Sequence, residues 1–281
     1  MVSALATHPL SLDDQYLQEQ LEQAQHGDHQ AQTRLGIAYS EGEGVNQDFA
    51  EAIKWFFEAA KQDDPIAEYR LGLLYYHGHG VGRNPSLALQ WFEKASQRGV
   101  PEAQFNAGFL YESGLGVQQN LAKALALYLE AAKSGCIPAQ NNLGHMYETG
   151  EGVAPNPARA VEWFQKSASQ GDAKGQFNLA VMYARGTGIS QDYVKAAEWV
   201  ELAAKQGNTK AQGALGDLYL RGLGVRQDDH TAAVWLERAA NKNDMTAQTE
   251  LGVLISRATA FPAMTPLPQL GSPRRLSREI R

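Results

Sequence analysis

Two pairs of histidines are the residues of this 281-residue chain that are best placed for metal chemistry. His26 and His29 stand at helical spacing, and His77 and His79 flank a glycine. Imidazole nitrogens are good zinc ligands, but a zinc site in a protein uses three or four protein ligands. Neither pair has a third ligand such as cysteine close by in the sequence. We therefore predict surface histidines, no metal site and no cofactor.

The sequence also lacks the arrangements that activate a nucleophile or hold a phosphate. No serine is followed three residues later by lysine, and the G-x-S-x-G, H-E-x-x-H and Gly-x-x-x-x-Gly-Lys patterns are absent. Cys136 is the only cysteine and has no spaced partner. The run Gly-His-Gly-Val-Gly at 78–82 resembles half of a dinucleotide loop, but it follows a predicted helix instead of a strand. We predict that the chain is not an enzyme.

The elements that would position any functional residue are set by a repeat of 36 residues. One tyrosine recurs at this interval at Tyr39, Tyr75, Tyr111, Tyr147, Tyr183 and Tyr219. A fixed period of this length is typical of an array of helical repeats, in which each unit stacks on its neighbours. The sequence therefore predicts an all-α fold.

Local signals predict two helices in each unit. The first helix begins near a capping Asp or Asn such as Asp64, or near Pro101 and Pro138 in the third and fourth units. It ends at a glycine such as Gly78, and a second helix follows that is capped by a residue such as Asn84. A further glycine lies inside the first helix, where it costs about 1 kcal/mol relative to alanine. We expect a close approach of two helices to offset that cost.

The mid-helix glycines are Gly36, Gly72, Gly108, Gly144, Gly216 and Gly252, with Ala180 in the fifth unit. An aromatic series in the second helix comprises Trp55, Trp91, Trp163, Trp199 and Trp235, with Tyr128 one place late. Because both series recur with the repeat, we predict that they form the core.

The motif is most complete at residues 139–174, in Ala139, Gln140, Leu143, Gly144, Tyr147, Gly150, Gly152, Val153, Ala160, Trp163, Ala168 and Gly171. This unit resembles the Sel-one-like repeat, a relative of the tetratricopeptide repeat. The resemblance covers about residues 28–257 and implies a right-handed superhelical α/α solenoid of 36-residue helix-turn-helix repeats. It also implies a scaffold or adaptor that binds other proteins. Because some family members were described as binding or hydrolysing β-lactams, a hydrolase-type or cell-wall-related enzyme of the secreted kind is the alternative.

The chain divides into three predicted regions. Residues 1–27 hold an N-terminal capping helix, expected from Ser11 to Gln25. Residues 28–257 form six full repeats and a final half repeat. Residues 258–281 are rich in proline and arginine and are predicted to be disordered.

Composition limits the partners and the compartment. The formal net charge of -6 gives no electrostatic basis for nucleic-acid binding. No stretch approaches the roughly 18 apolar residues of a membrane span, and the first residues do not read as a signal peptide. A single cysteine fits a reducing compartment. We expect a cytoplasmic protein, secreted only if the N-terminus is incomplete, and a monomer unless its C-terminal edge self-associates.

The candidate binding site is the concave face that the resemblance to tetratricopeptide repeats implies. Its predicted residues are Arg34, Tyr69, Arg70, Leu73, Tyr76, Phe105, Asn106, Phe109, Asn142, His145, Phe177 and Asn178. Asparagine can pair with both the carbonyl and the amide of a peptide, and the aromatic residues could take apolar side chains. The same recurrence would serve packing within the family, so both roles stay open. The expected partner is a protein or a peptide that the sequence does not identify.

The C-terminal edge carries one further expectation. The last predicted helix presents Leu251, Leu254 and Ile255 and has no partner helix. Beyond it, apolar residues recur every third place at Phe261, Met264, Leu267 and Leu270. Either residues 259–270 fold back over this edge, or the edge pairs with another chain.

Overall fold

The computed structural model describes the backbone of residues 12–260 and the side chains of residues 15–256. Every regular element in this part of the chain is an α-helix. The helices are α1 Leu12–Gln25, α2 His29–Glu41, α3 Phe49–Ala60, α4 Pro65–His77, α5 Pro85–Gln97, α6 Pro101–Ser113, α7 Leu121–Lys133, α8 Ile137–Thr149, α9 Pro157–Ser169, α10 Ala173–Arg185, α11 Tyr193–Lys205, α12 Thr209–Arg221, α13 Asp229–Ala240 and α14 Met245–Ala260. Within residues 12–260, no helix is long and apolar enough to cross a membrane.

From α1 to α7 and from α9 to α14, each helix packs against the next one in the sequence. The predicted all-α solenoid of helix-turn-helix repeats is confirmed. The chain divides into two compact units, Met1–Ala139 and Gln140–Arg281. In unit 1 the pairs α2–α3, α4–α5 and α6–α7 follow α1. In unit 2 the pairs α10–α11 and α12–α13 follow α9 and precede α14.

The predicted helix ends are present. The carboxylate of Asp64 accepts hydrogen bonds from the backbone amides of Ile66 and Ala67 at the start of α4. The helix α6 begins at Pro101 and has no side-chain cap, as a proline in the first turn permits. Gly78 ends α4 with φ 79°, in the left-handed region that glycine adopts at little cost.

The mid-helix glycines allow the close helix approach that the sequence predicts. A Cβ atom added to Gly72 would lie 2.5 Å from two ring carbons of Phe92, which stands 20 residues later in the paired helix. The same contact joins Gly144 to Phe164 at 2.3 Å. Ala180 lies in one core cluster with Val200, so a methyl group is present where the facing side chain is smaller.

The aromatic core differs from the prediction by one position. The rings with no exposure are Phe56, Phe92, Tyr128 and Phe164, each one residue after the tryptophan place. Tyr128 therefore belongs to this series and is not a displaced tryptophan equivalent. Trp91 is partly buried and packs against the core of the preceding pair, which contains Phe56. The tryptophans are packing residues, but they join neighbouring pairs instead of filling the centre of one.

The two ends of the described chain are built differently. In α1, Gln20 is buried and its side-chain oxygen accepts a hydrogen bond of 2.5 Å from Nε of Arg34. The predicted cap Ser11 lies outside the described residues. The helix α14 runs to Ala260, past the expected boundary at 257, because Ala258 stands where the other first helices end in glycine. Residues 261–281 lie outside the described part, so the disordered tail stays a prediction.

Candidate functional site

One candidate surface lies on the first helices of unit 1 and is called the unit-1 face. It comprises Arg34, Tyr69, Arg70, Leu73, Tyr76, Phe105, Asn106 and Phe109. In α4, Leu71 and Gly72 are buried in the pair, so neighbouring positions turn away from α5. Arg34 is exposed, and the other seven side chains are half-buried.

The aromatic residues of the unit-1 face also touch the core. The ring of Tyr69 lies 6.0 Å from that of Phe92, and the ring of Phe105 lies 5.7 Å from that of Tyr128. Burial, together with the nearby charge of Glu102, raises the pKa of the Tyr69 hydroxyl. These rings therefore pack on the second helix of their pair and still leave part of their surface open.

The polar residues of the unit-1 face have partners inside the protein. Nε of Arg34 donates to Gln20, and Nη1 of Arg70 donates to a carboxylate oxygen of Glu41 at 2.8 Å. Nδ2 of Asn106 donates to the carbonyl oxygen of Glu102 at 2.8 Å, one turn earlier in the same helix. In unit 1 these three side chains are therefore engaged within the protein, and their role in peptide binding stays a prediction.

A second candidate surface, the unit-2 face, comprises Asn142, His145, Phe177 and Asn178. Nδ2 of Asn178 lies 3.3 Å from Nε2 of His145, whose ring also contacts Phe164 edge to face at 5.2 Å. Nδ1 of His145 lies 3.6 Å from a carboxylate oxygen of Glu148. Asn142 is half-buried and has no hydrogen-bond partner among the described side chains and backbone.

Beside the unit-1 face lies an open pocket between α2 and α4. Its floor is apolar and is made by Phe56, Leu73 and Leu74. The remaining lining residues are Ser40, Glu41, Phe49, Arg70, His77 and His79. Sequence reasoning placed Leu73 and Arg70 on this face but missed Phe49 and both histidines as lining residues. A signal was present in the sequence, because this repeat alone has histidines at these two positions, the last residue of its first helix and the second residue after it.

The histidine pairs are accounted for by local contacts. The ring of His79 stacks on Phe49 at 5.0 Å and on His77 at 5.4 Å. Nδ1 of His29 lies 2.8 Å from a carboxylate oxygen of Asp64. Within the described residues, no three histidine, cysteine, aspartate or glutamate side chains gather as metal ligands would. Burial raises the pKa of the Cys136 thiol, which disfavours the nucleophilic thiolate.

Comparison with known proteins agrees with this architecture. A family model described as the Sel1 repeat matches residues 29–64, 65–100, 101–136, 137–172, 173–208 and 209–244. The crystal structure of c5321, a protective antigen present in uropathogenic Escherichia coli strains displaying an SLR fold, is similar with a TM-score of 0.83 and 34% identity. That alignment covers 87% of this chain and 52% of the antigen, so this chain spans about half of the antigen's length.

A Sel1 repeat protein from Oxalobacter formigenes is similar with a TM-score of 0.70 and 31% identity, over 79% of this chain and 96% of that one. No protein among those with curated functions matches the sequence. The family matches follow one another without a gap from residue 29 to residue 244, and each contains one complete pair of helices. The chain therefore belongs to the Sel1 repeat family.

Proposed function

We propose that this protein is a non-catalytic scaffold that binds a protein or peptide partner through the outer surface of its first helices. The unit-1 face and its adjoining pocket form the main contact region. Repeat arrays are suited to this role because successive repeats present similar side chains along an extended surface.

The observation that carries the proposal is the composition of α4. Its only polar or charged side chains apart from its tyrosines are Glu68, Arg70 and His77, and Glu68 is buried. Apolar residues therefore reach the outer surface as well as the core. A surface helix of a globular protein normally carries a polar face toward water. A helix that is apolar on both sides therefore favours a contact between its outer side and a partner.

The pocket supports the same proposal by offering a place for an anchoring side chain. Its floor of Phe56, Leu73 and Leu74 would bury an apolar group of the partner, while Arg70 and His77 at the rim would contact polar groups. Binding energy at interfaces is usually concentrated in a few such anchors. The partner we propose is therefore an extended segment with one large apolar side chain.

Affinity purification from the organism that encodes the protein tests this proposal. Leu73→Asp puts a charge at the pocket floor, and Phe109→Asp puts a charge on the part of the unit-1 face that α6 contributes. The matched control is Ile66→Asp, because Ile66 is an exposed apolar residue of α4 outside the unit-1 face. We expect the partner to be retained by the wild type and by Ile66→Asp, and lost from both face variants.

Circular dichroism must show that each variant remains folded. Loss of the partner from all three variants alike, or from none of them, would contradict binding at the unit-1 face. The enzymatic alternative predicts turnover of a generic hydrolase or β-lactam substrate, and no contact among the described residues favours it.

A further inference from the structure

The last described helix, α14, presents a mixed surface. Leu254 is buried, and Leu251 packs against a buried cluster, so the sequence expectation that these two residues form an open edge is wrong. Polar Thr249 and Ser256 are exposed on the same helix. The opposite end of the described chain carries a more specific arrangement of unused hydrogen-bond donors.

Arg34 and Arg70 occupy equivalent places in successive repeats, and only one of them has a carboxylate partner. They stand 36 residues apart, each on the first helix of its repeat. Nη1 of Arg70 donates to Glu41, which the preceding repeat contributes from α2. Arg34 uses Nε to bond Gln20, and no described residue accepts from its Nη1 or Nη2. The guanidinium of Arg34 therefore keeps two nitrogens open for an acceptor.

Arg34 lines a second pocket, the N-terminal pocket, which lies between α1 and α2 and has a volume of about 340 Å³. Its lining includes Tyr16, Leu17, Gln20, Arg34, Ile37 and Glu43. Arg34 and Ile37 line this pocket just as Arg70 and Leu73 line the pocket between α2 and α4, one repeat later. The two pockets are therefore equivalent sites in successive repeats.

Gln20 adds a third open donor to the N-terminal pocket. The residue is only 6% exposed. Because Nε of Arg34 can only donate, the oxygen of the Gln20 amide must face it, which leaves the amide nitrogen Nε2. No described residue accepts from this Nε2. Since unpaired polar groups of buried side chains are unfavourable, the pocket favours a ligand that accepts hydrogen bonds.

We propose that the partner pairs an aspartate or glutamate side chain with Arg34 at the N-terminal pocket. The inference rests on the proposed function, because the same extended segment places its apolar anchor in the pocket between α2 and α4. A carboxylate can accept two parallel N–H bonds from one guanidinium. The apolar side chains of Leu17 and Ile37 beside it exclude water, which strengthens the attraction between the charges.

The charged groups at the N-terminal pocket agree with an acidic partner. Arg34 is the only cation among the described residues that line it. Glu43 also lines it, from the loop after α2, but no ion pair joins Glu43 to Arg34. Residues 1–11 contain no aspartate or glutamate, and Leu5 stands 36 residues before Glu41. The segment before α1 therefore supplies no carboxylate, which favours the partner as its source.

The repeat also predicts where the acid stands in the partner. The two pockets lie one repeat apart, on α2 and α4, and neighbouring helices pack about 8–10 Å apart. Extended chain advances about 3.3 Å per residue. The acidic residue should therefore stand about three residues from the apolar anchor.

Selection from a phage-displayed library of short random peptides, with the full-length protein as bait, tests the proposal. Peptides retained by the wild type should be enriched in a large apolar residue with aspartate or glutamate about three residues away. Arg34→Gln should lose the acidic enrichment and keep the apolar one, because the pocket between α2 and α4 is unchanged. The matched control Arg226→Gln removes an exposed arginine of unit 2 and should select the same peptides as the wild type.

The affinity of one selected peptide, measured by fluorescence anisotropy, gives the size of the effect. Replacing its acid with the matching amide should weaken binding to the wild type by about fivefold or more. The same replacement should change binding to Arg34→Gln by less than about twofold, since the group that the acid pairs with is already absent. Circular dichroism must show that Arg34→Gln is folded.

The outcomes separate this inference from the proposed function. Apolar enrichment without acids, or equal acidic enrichment by the wild type and Arg34→Gln, would overturn the pairing with Arg34 and leave the proposed function standing. An equal loss of acids with Arg226→Gln would mean that the effect is one of total charge and would also overturn it. A wild type that enriches no peptide would contradict both.

Discussion

The contact between the mid-helix glycine and the facing ring predicts a specific pattern of stability changes. A methyl group at position 72 in Gly72→Ala would lie 2.5 Å from two carbons of the Phe92 ring, which has no exposed surface and little room to move. Overpacking a core typically costs about 1–3 kcal/mol. Replacing a mid-helix glycine with alanine gains about 1 kcal/mol. We expect the free energy of unfolding to fall by up to about 2 kcal/mol.

Gly213→Ala is the matched control, because Gly213 also lies inside a first helix. The nearest atoms to its added methyl group would be 3.8 Å away, at ordinary contact distance. This variant should therefore be more stable than the wild type by up to about 1 kcal/mol. The two substitutions are chemically identical, so their opposite signs isolate the effect of the ring.

The natural pair Ala180 and Val200 suggests the rescue. Phe92→Val alone removes buried volume and should be destabilising by about 2–4 kcal/mol. Combined with Gly72→Ala, it should cost less than the sum of the two single changes, with a favourable coupling of about 1–2 kcal/mol. Urea unfolding followed by circular dichroism gives all four free energies. The reasoning is refuted if Gly72→Ala raises the urea midpoint as Gly213→Ala does, or if the two changes are additive.

Two further predictions concern single polar residues. Burial raises the pKa of Glu68, although the charge of Arg98 opposes the shift. The free energy of unfolding should therefore fall as the pH rises above about 4.5. Glu68→Gln should remove this dependence, and an unchanged slope of melting temperature against pH would contradict this. Asn243 adopts φ 64° at a position where other repeats have glycine, so Asn243→Gly should raise the free energy of unfolding by about 1 kcal/mol. Asp63→Gly should raise it less, because Asp63 forms an ion pair with Arg98. An equal gain for both variants in thermal melts would show that this ion pair contributes nothing.

The repeat period and the capping residues were sufficient to predict the helices, because both depend on residues close together in the chain. The site could be predicted only in part. The partners of Arg34 and Arg70 are Gln20 and Glu41, which stand 14 and 29 residues away on other elements. Those contacts depend on how side chains are placed after packing, and no spacing rule within one repeat indicates them.

The shift of the core from the tryptophans to the following aromatic position has a similar cause. A period of 36 residues is equally compatible with either of two adjacent positions, since both are apolar in most repeats. Helix geometry decides between them, because the residue opposite Gly72 must be the one that reaches across the pair.

The position of the glycine and its ring within one repeat also bears on how such an array changes length. Gly72 and Phe92 both lie in the repeat of residues 65–100, so duplicating or losing that whole stretch carries both halves of the match together. Recombination at repeat boundaries therefore never separates a ring from the glycine that receives it. Changing the packing by point substitution instead alters one member of the match at a time, and a side chain as small as Val200 is accompanied by Ala180 in place of the glycine. Unequal crossing-over is thus the easier evolutionary route, and the number of repeats can vary more freely than the packing inside each one.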